Sequence, residues 1–126
     1  MTAIKLNDLT GDIVDACFNI HVKMGMGLYE KVYSDCLNYE LEKRKLRFSR
    51  EHPVTVRYEE LIIPAAFKID FLVEEAVIVE LKSVEKIMTF HEAQILNYMK
   101  LTKIGTGLLI NFNVPLIKDG IKRFKI

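Results

Sequence analysis

The chain has 126 residues, half of them hydrophobic and 28% charged, and its 18 Lys and Arg against 17 Asp and Glu leave a net charge of +1. That length suits one domain, residues 1–126, able to bury roughly two-thirds of its unfolded surface. The composition excludes a disordered chain, and the charge balance excludes a strongly basic coat protein or an acidic tail, while leaving room for a local basic patch against phosphates.

The opening stretch Met1–Asp8 has no apolar core of the kind a signal peptide needs. No run approaches the ~20 apolar residues that span a bilayer. Cys17 and Cys36 form no CxxC pair and fall on apolar helical positions, as buried reduced thiols do. Together these features place the protein in the cytoplasm as an expectation.

Ile13, Cys17, Ile20 and Met24 recur at helical spacing, with Asn7 or Thr10 as the expected cap and Gly25-Met26-Gly27 as the stop. A second helix is expected from about Leu28 to Lys45, with Tyr33, Leu37 and Leu41 as its apolar stripe. From Arg47 the period changes to two. Val54, Val56 and Tyr58 mark one strand, Phe67, Ile69, Phe71 and Val73 a second, and Val77, Val79 and Leu81 a third. Thr89-Phe90-His91-Glu92 reads as a capping box opening a well-buried helix that runs to about Leu101. Gly107 to Phe112 is a short apolar strand, expected to be buried on both faces, and Gly120 to Ile126 a basic last strand or tail. The order α-α-β-β-β-α-β-β predicts an α/β sheet flanked by helices.

The hairpin carries the chemistry. A three-residue connection, Glu74-Glu75-Ala76, sets Val73 opposite Val77, Phe71 opposite Val79 and Ile69 opposite Leu81, building one apolar face. The same register sets Asp70 opposite Glu80, with Lys82 two residues along. Carboxylates in that relation stand about 4.5–5.5 Å apart at Cβ and repel. Such a pair is either a solvated strand face or a site for a hard divalent cation. Glu30, in the first turn of the second helix, lies within about 20° of Leu37 and Leu41 on the helical wheel. It either supports the helix N-terminus or adds a third carboxylate aimed at the sheet. Gln94 and Tyr98 are one turn apart on the third helix. They either satisfy one another's surroundings at the core edge or face the same site.

Gly27-Leu-Tyr-Glu30-Lys-Val-Tyr33 resembles the signature of the small bacterial GxxExxY family, a compact branch of the PD-(D/E)XK nuclease superfamily with the restriction-endonuclease-like fold. The resemblance covers about Leu9 to Phe124. Ile69-Asp70 followed by Val79-Glu80-Leu81-Lys82 is similar to the superfamily's Asp…(Asp/Glu)-x-Lys core, with Ile69 where the motif's name has proline. Gln94-x-x-x-Tyr98 resembles the QxxxY motif of its RecB-type branch. The resemblance implies a central mixed sheet flanked by helices, and Mg²⁺ or Mn²⁺ held by Asp70, Glu80 and the Leu81 carbonyl. Glu30 would join directly or through water. Lys82 would orient and help activate the attacking water, and Gln94 and Tyr98 would position the site or the scissile strand. The implied activity is metal-dependent hydrolysis of DNA phosphodiester bonds.

Two basic clusters are candidates for tracking single- or double-stranded DNA. From Lys100 onward six basic residues (Lys100, Lys103, Lys118, Lys122, Arg123, Lys125) face one acid, Asp119. Lys43, Arg44, Lys45, Arg47 and Arg50 form the second. No sequence-reading module is visible. The small size leaves room for a homodimer or a protein partner. The alternative from another class is a non-catalytic nucleic-acid-binding or protein-interaction module that keeps the fold.

Overall fold

A computed structural model describes residues 1–126, the side chain of Ile4 excepted. Helices α1 (Ala3–Met24) and α2 (Glu30–Lys43) precede strands β1 (Phe48–Tyr58), β2 (Leu61–Val73) and β3 (Val77–Lys82). Helix α3 (Thr89–Thr102), β4 (Thr106–Asn111), a 3-10 turn (Ile117–Gly120) and β5 (Ile121–Lys125) complete the chain. This is the expected α/β order. The five strands lie in sequence order across one mixed sheet. Strand β3 runs parallel to β4, with α3 as the crossover, and the other neighbours are antiparallel.

The apolar periodicities account for the layers. Ile13, Cys17 and Ile20 of α1 and Tyr33, Leu37 and Leu41 of α2 pack on one face of the sheet against Phe71, Val73, Val77, Val79 and Leu81. Ile95 and Met99 of α3 pack on the other face against Ile69, Leu72, Ile78 and Leu109. Strand β4 touches both layers and is buried along its whole length, as its unbroken apolar run requires. Cys17 is buried, which pushes its thiol up to about 12, and Cys36 is half-buried; neither is in a disulfide. Among the described residues no helix is long and apolar enough to cross a membrane.

Several local expectations are corrected. Helix α1 starts earlier than its apolar stripe indicates. Its cap is Thr2, whose hydroxyl accepts from the Lys5 N–H, rather than Asn7 or Thr10. The capping box at Thr89 does not form. Met88 is the N-cap, its N–H donates to His91 Nδ1 at 2.8 Å, and Glu92 instead pairs with Lys122 of β5 at 2.6 Å. With Met88 as the N-cap the third helical position is His91, so its imidazole, and not the Glu92 carboxylate, reaches back to the cap. Helix α3 is also less buried than expected: only His91, Ile95 and Met99 are inside, and Phe90, Leu96 and Leu101 face outward. Ile69 is fully buried but in the α3-side layer, not on the face it was expected to share with Phe71. The cause lies at its neighbour, Asp70.

Candidate active site

The β2–β3 register is the one the alternation predicts: Val73 opposite Val77, Leu72 opposite Ile78, Phe71 opposite Val79. The connection turns through Glu74 and Glu75, both with positive φ, and the Ala76 N–H donates to the Val73 carbonyl. The backbone ladder ends at Phe71 and Val79. The next two residues in the register are Asp70 and Glu80, and their side chains continue the pairing. The Asp70 N–H donates to Glu80 Oε2 at 2.7 Å, and the Leu81 N–H donates to Asp70 Oδ2 at 2.8 Å.

On its other side β2 is interrupted at the same point. Arg50 pairs with Phe71 and His52 with Ile69, but no pair joins Asp70 to Glu51, whose φ is +51°. A non-glycine residue in that region costs on the order of 1–2 kcal/mol. Strand β2 is thus free of backbone partners on both sides at Asp70. That resets its alternation and sends Ile69 to the α3 layer. Beyond this opening β1 and β2 continue as a two-stranded arm with Tyr58, Leu61, Ile62 and Ile63 exposed at its tip.

The carboxylates in the opening are held against electrostatic preference. Glu80 is only 4% exposed. Burial first, and then repulsion from Asp70, push its carboxyl up to about 8. Burial likewise raises Asp70, opposed by the Leu81 N–H and by Lys82. Lys82, half-buried at the end of β3, is the nearby positive charge that favours ionisation of Asp70, Glu80 and Glu30. Like charges packed in low dielectric are unfavourable for folding and concentrate at functional sites.

Glu30 does not lie inside on the stripe. It is exposed at the first turn of α2, at the solvent end of the line of Tyr33, Leu37 and Leu41. Its carboxyl is nonetheless raised by partial burial and by Asp70. With Asp70, Arg50, Asp35 and Glu51 it lines one cavity of about 520 Å³. Tyr98 is brought to the other side of the pair. Its ring stacks on Phe67 at 4.0 Å and 4°, and its phenol is raised by burial and then by Glu80 and Asp70. Gln94 is half-buried one turn before Tyr98, and among the described residues no hydrogen bond joins it to either carboxylate.

The loop that presents Glu30 is tied down by groups that local pattern does not reveal. The Tyr33 hydroxyl donates to the Gly25 carbonyl at 2.6 Å and accepts from the Leu28 N–H. The Ser83 hydroxyl, next to Lys82, donates to the Leu28 carbonyl at 2.5 Å. Gly25 and Gly27 have positive φ, which lets the chain double back between α1 and α2. The sequence Gly27-x-x-Glu30-x-x-Tyr33 is therefore a brace: the glycine turns the loop, the tyrosine fastens it, and the serine joins it to the lysine strand. Tyr33→Phe keeps the ring stacked on Phe112 but strands the Gly25 carbonyl and the Leu28 N–H. It is expected to lower unfolding free energy by about 1–3 kcal/mol in urea titrations. An unchanged midpoint would show that the loop is held without the hydroxyl.

In the second basic cluster the three arginines are engaged within the protein, while Lys43 and Lys45 are exposed. Arg44 is paired with Asp12, Asp15 and Glu40, Arg47 with Glu74, and Arg50 with Asp35 and Ser34. In the C-terminal cluster Lys122 is paired with Glu92 and Arg123 donates to Asn7, while Lys100, Lys103, Lys118 and Lys125 are exposed.

Among the described residues no three His, Cys, Asp or Glu side chains come close enough to enclose an ion. The Asp70–Glu80 pair still fits a divalent cation by its donor chemistry. Each carboxylate uses one oxygen, Oδ2 or Oε2, on a backbone N–H, and Oδ1 and Oε1 make no hydrogen bond among the described residues. Mg²⁺ is commonly held by one or two carboxylates with water completing the shell.

Residues 7–124 match the sequence model of the PD-(D/E)XK nuclease superfamily, whose members generally use divalent metal ions. No curated protein and no solved structure matches the chain. The match spans nearly every element, from α1 to β5, and the opened hairpin with its Asp, Glu and Lys lies within it: the chain belongs to the PD-(D/E)XK nuclease superfamily.

Proposed function

We propose that residues 1–126 form a single nuclease domain that hydrolyses DNA phosphodiester bonds with Mg²⁺ or Mn²⁺, and that the chain is of the GxxExxY type within its superfamily. The observation that carries this reading is the pair of half-buried Asp70 and buried Glu80 set across an opened β2–β3 ladder beside Lys82. Asp70 Oδ1, Glu80 Oε1 and the Leu81 carbonyl are the assigned metal ligands, with Glu30 acting through water. A bound divalent ion polarises the phosphoryl group and lowers the pKa of the attacking water. Lys82 orients that water and offsets charge on the phosphate. Tyr98, fixed by Phe67, and Gln94 before it position the scissile strand. The two free cysteines suit a reducing compartment, and we place the protein in the cytoplasm.

The test is incubation of the purified protein with single- and double-stranded DNA in Mg²⁺ and in Mn²⁺. Cleavage in either metal, abolished by chelator, is the expected result. No cleavage of any nucleic acid in either metal would overturn the reading in favour of a non-catalytic module.

Metal linkage provides an independent check. An ion that binds only the folded state stabilises it by mass action, about 2.7 kcal/mol at a hundredfold excess over Kd. Mn²⁺ or Mg²⁺ is expected to raise the melting temperature of the wild type, and to raise that of Asp70→Asn less. Equal rises in both proteins would place the ion elsewhere.

A further inference from the structure

One guanidinium is built into the wall of the carboxylate site. Arg50 of β1 stands opposite Phe71 of β2, one residue from the unpaired Asp70. It lines the same cavity of about 520 Å³ as Asp70, Glu30 and Glu51. Its guanidinium carbon lies 5.8 Å from the centre of the Phe71 ring, on the sheet face that α2 covers. Nη2 donates to Ser34 Oγ at 2.8 Å and to Asp35 Oδ1 at 2.6 Å, both on α2. These bonds use both Nη2 hydrogens, and among the described residues Nη1 and Nε make none. The aromatic floor and the two α2 acceptors thus orient the group and leave its other N–H donors without a protein partner.

Charge singles out the same group. Glu30, Glu51 and Asp70 of the lining repel an incoming phosphodiester, and the lining cations are Lys31 and Arg50. Asp35 is shared between those two: Oδ2 takes Lys31 Nζ at 3.0 Å and Oδ1 takes Arg50. One carboxylate against two cations leaves a positive balance at this wall. Lys31 is its outer member, 82% exposed, and Arg50 its inner one, 32% exposed. The exposed lysines of the two basic clusters add long-range attraction for a single strand or a duplex alike, but none of them lines the cavity.

Resting on the nuclease reading, we infer that Arg50 holds the scissile phosphate of the nucleic acid in this cavity, its free Nη1 donating to a non-bridging oxygen while Asp70 and Glu80 carry the metal. A guanidinium suits the task, being planar, always charged and able to make charge-assisted hydrogen bonds to phosphate. Ser34, Asp35 and Phe71 are positioning residues that orient it. Arg50 offsets the repulsion between the phosphate and the acids Glu30 and Glu51. The contact is to the backbone of the strand, so it carries no base preference.

The test reads binding without turnover: fluorescence anisotropy of labelled single- and double-stranded DNA, with Ca²⁺ in place of Mg²⁺, over a range of salt. Arg50→Gln is expected to weaken binding by about 10- to 100-fold. It should also make the slope of log K against log salt shallower by about 0.7–0.9, the share of one phosphate. Arg50→Lys keeps the charge, so it should keep the slope, but it loses the planar, anchored group and should still bind about 2- to 10-fold more weakly. Asp35→Asn separates holding a phosphate from tying β1 to α2. It breaks the ion pair and leaves the guanidinium, so it should lower the melting temperature as Arg50→Gln does and keep the slope. The pair is half-exposed, so each variant should stay folded; if Arg50→Gln does not, Arg50→Lys remains the measure. An unchanged slope in Arg50→Gln, an equal loss of slope in Asp35→Asn, wild-type affinity in Arg50→Lys, or a wild type that binds neither form of DNA would each overturn the proposal. Because no cleavage is read, failure here is distinct from failure of the nuclease reading, which the metal-dependent assay decides separately.

Discussion

Lys82→Ala is expected to lose DNA cleavage by on the order of 10²–10⁴-fold while still binding metal. The substitution removes the positive group proposed to orient water and leaves Asp70, Glu80 and the Leu81 carbonyl in place. Loss of a cation beside two carboxylates makes the site more negative, so metal binding should persist or tighten. DNA binding should fall only modestly, since one phosphate contact among several is gone. A group that acts chiefly in the transition state lowers turnover more than affinity, and the separation shows in kcat against KM. Asp70→Asn and Glu80→Gln should abolish cleavage by another route, with loss of metal binding seen by calorimetry. Both amides keep an oxygen that can accept from Leu81 N–H or Asp70 N–H, so the hairpin should survive. Wild-type turnover in Lys82→Ala would remove Lys82 from the mechanism.

The second large effect is on stability against pH. Glu80 is raised from 4.5 to about 8 by burial and by Asp70, and Asp70 is raised as well. A carboxyl whose pKa is higher in the folded state binds more protons folded than unfolded across the interval between the two values. Stability must then fall as pH rises through that interval. Metal-free protein is therefore expected to be most stable near the low end, about pH 5, and to lose on the order of a few kcal/mol by pH 8. That trend opposes the usual acid lability of paired carboxylates. Glu80→Gln cannot ionise, so it should flatten the curve and exceed wild type at pH 8 in chelator. Saturating Mg²⁺ should flatten the wild-type curve in the same direction. Chemical denaturation at several pH values, with and without metal, decides the matter. A wild-type curve that rises from pH 5 to 8 in chelator would mean the pair is not held as described.

A strained, like-charged pair in the middle of a sheet has a consequence for engineering. Substitutions that neutralise Glu80 are expected to stabilise the metal-free chain and to remove the proposed chemistry together, the trade between stability and activity that active sites commonly show.

Periodicity in the sequence determined the element order, the α2 stripe of Tyr33, Leu37 and Leu41, the full burial of β4, and the hairpin register that brings Asp70 toward Glu80. These are properties of neighbouring residues on one element or across one short turn, where side-chain direction follows from the period alone. What only the tertiary structure decided depends on partners distant in the chain. The ladder opens at Asp70 because β1 skips a pairing at Glu51, and that break moves Ile69 into the other layer. The start of α3 falls at Met88 and not at Thr89, so His91 takes the capping position expected of Glu92, which pairs with Lys122 instead. Arg44 and Arg50, which read as a basic track, are held by acids of α1 and α2. Ser83 fastens a loop 55 residues away. A hydrogen bond or ion pair of that kind leaves no period in the sequence, because it depends on where the sheet and helices bring two backbones together, and that is settled only when the core is packed.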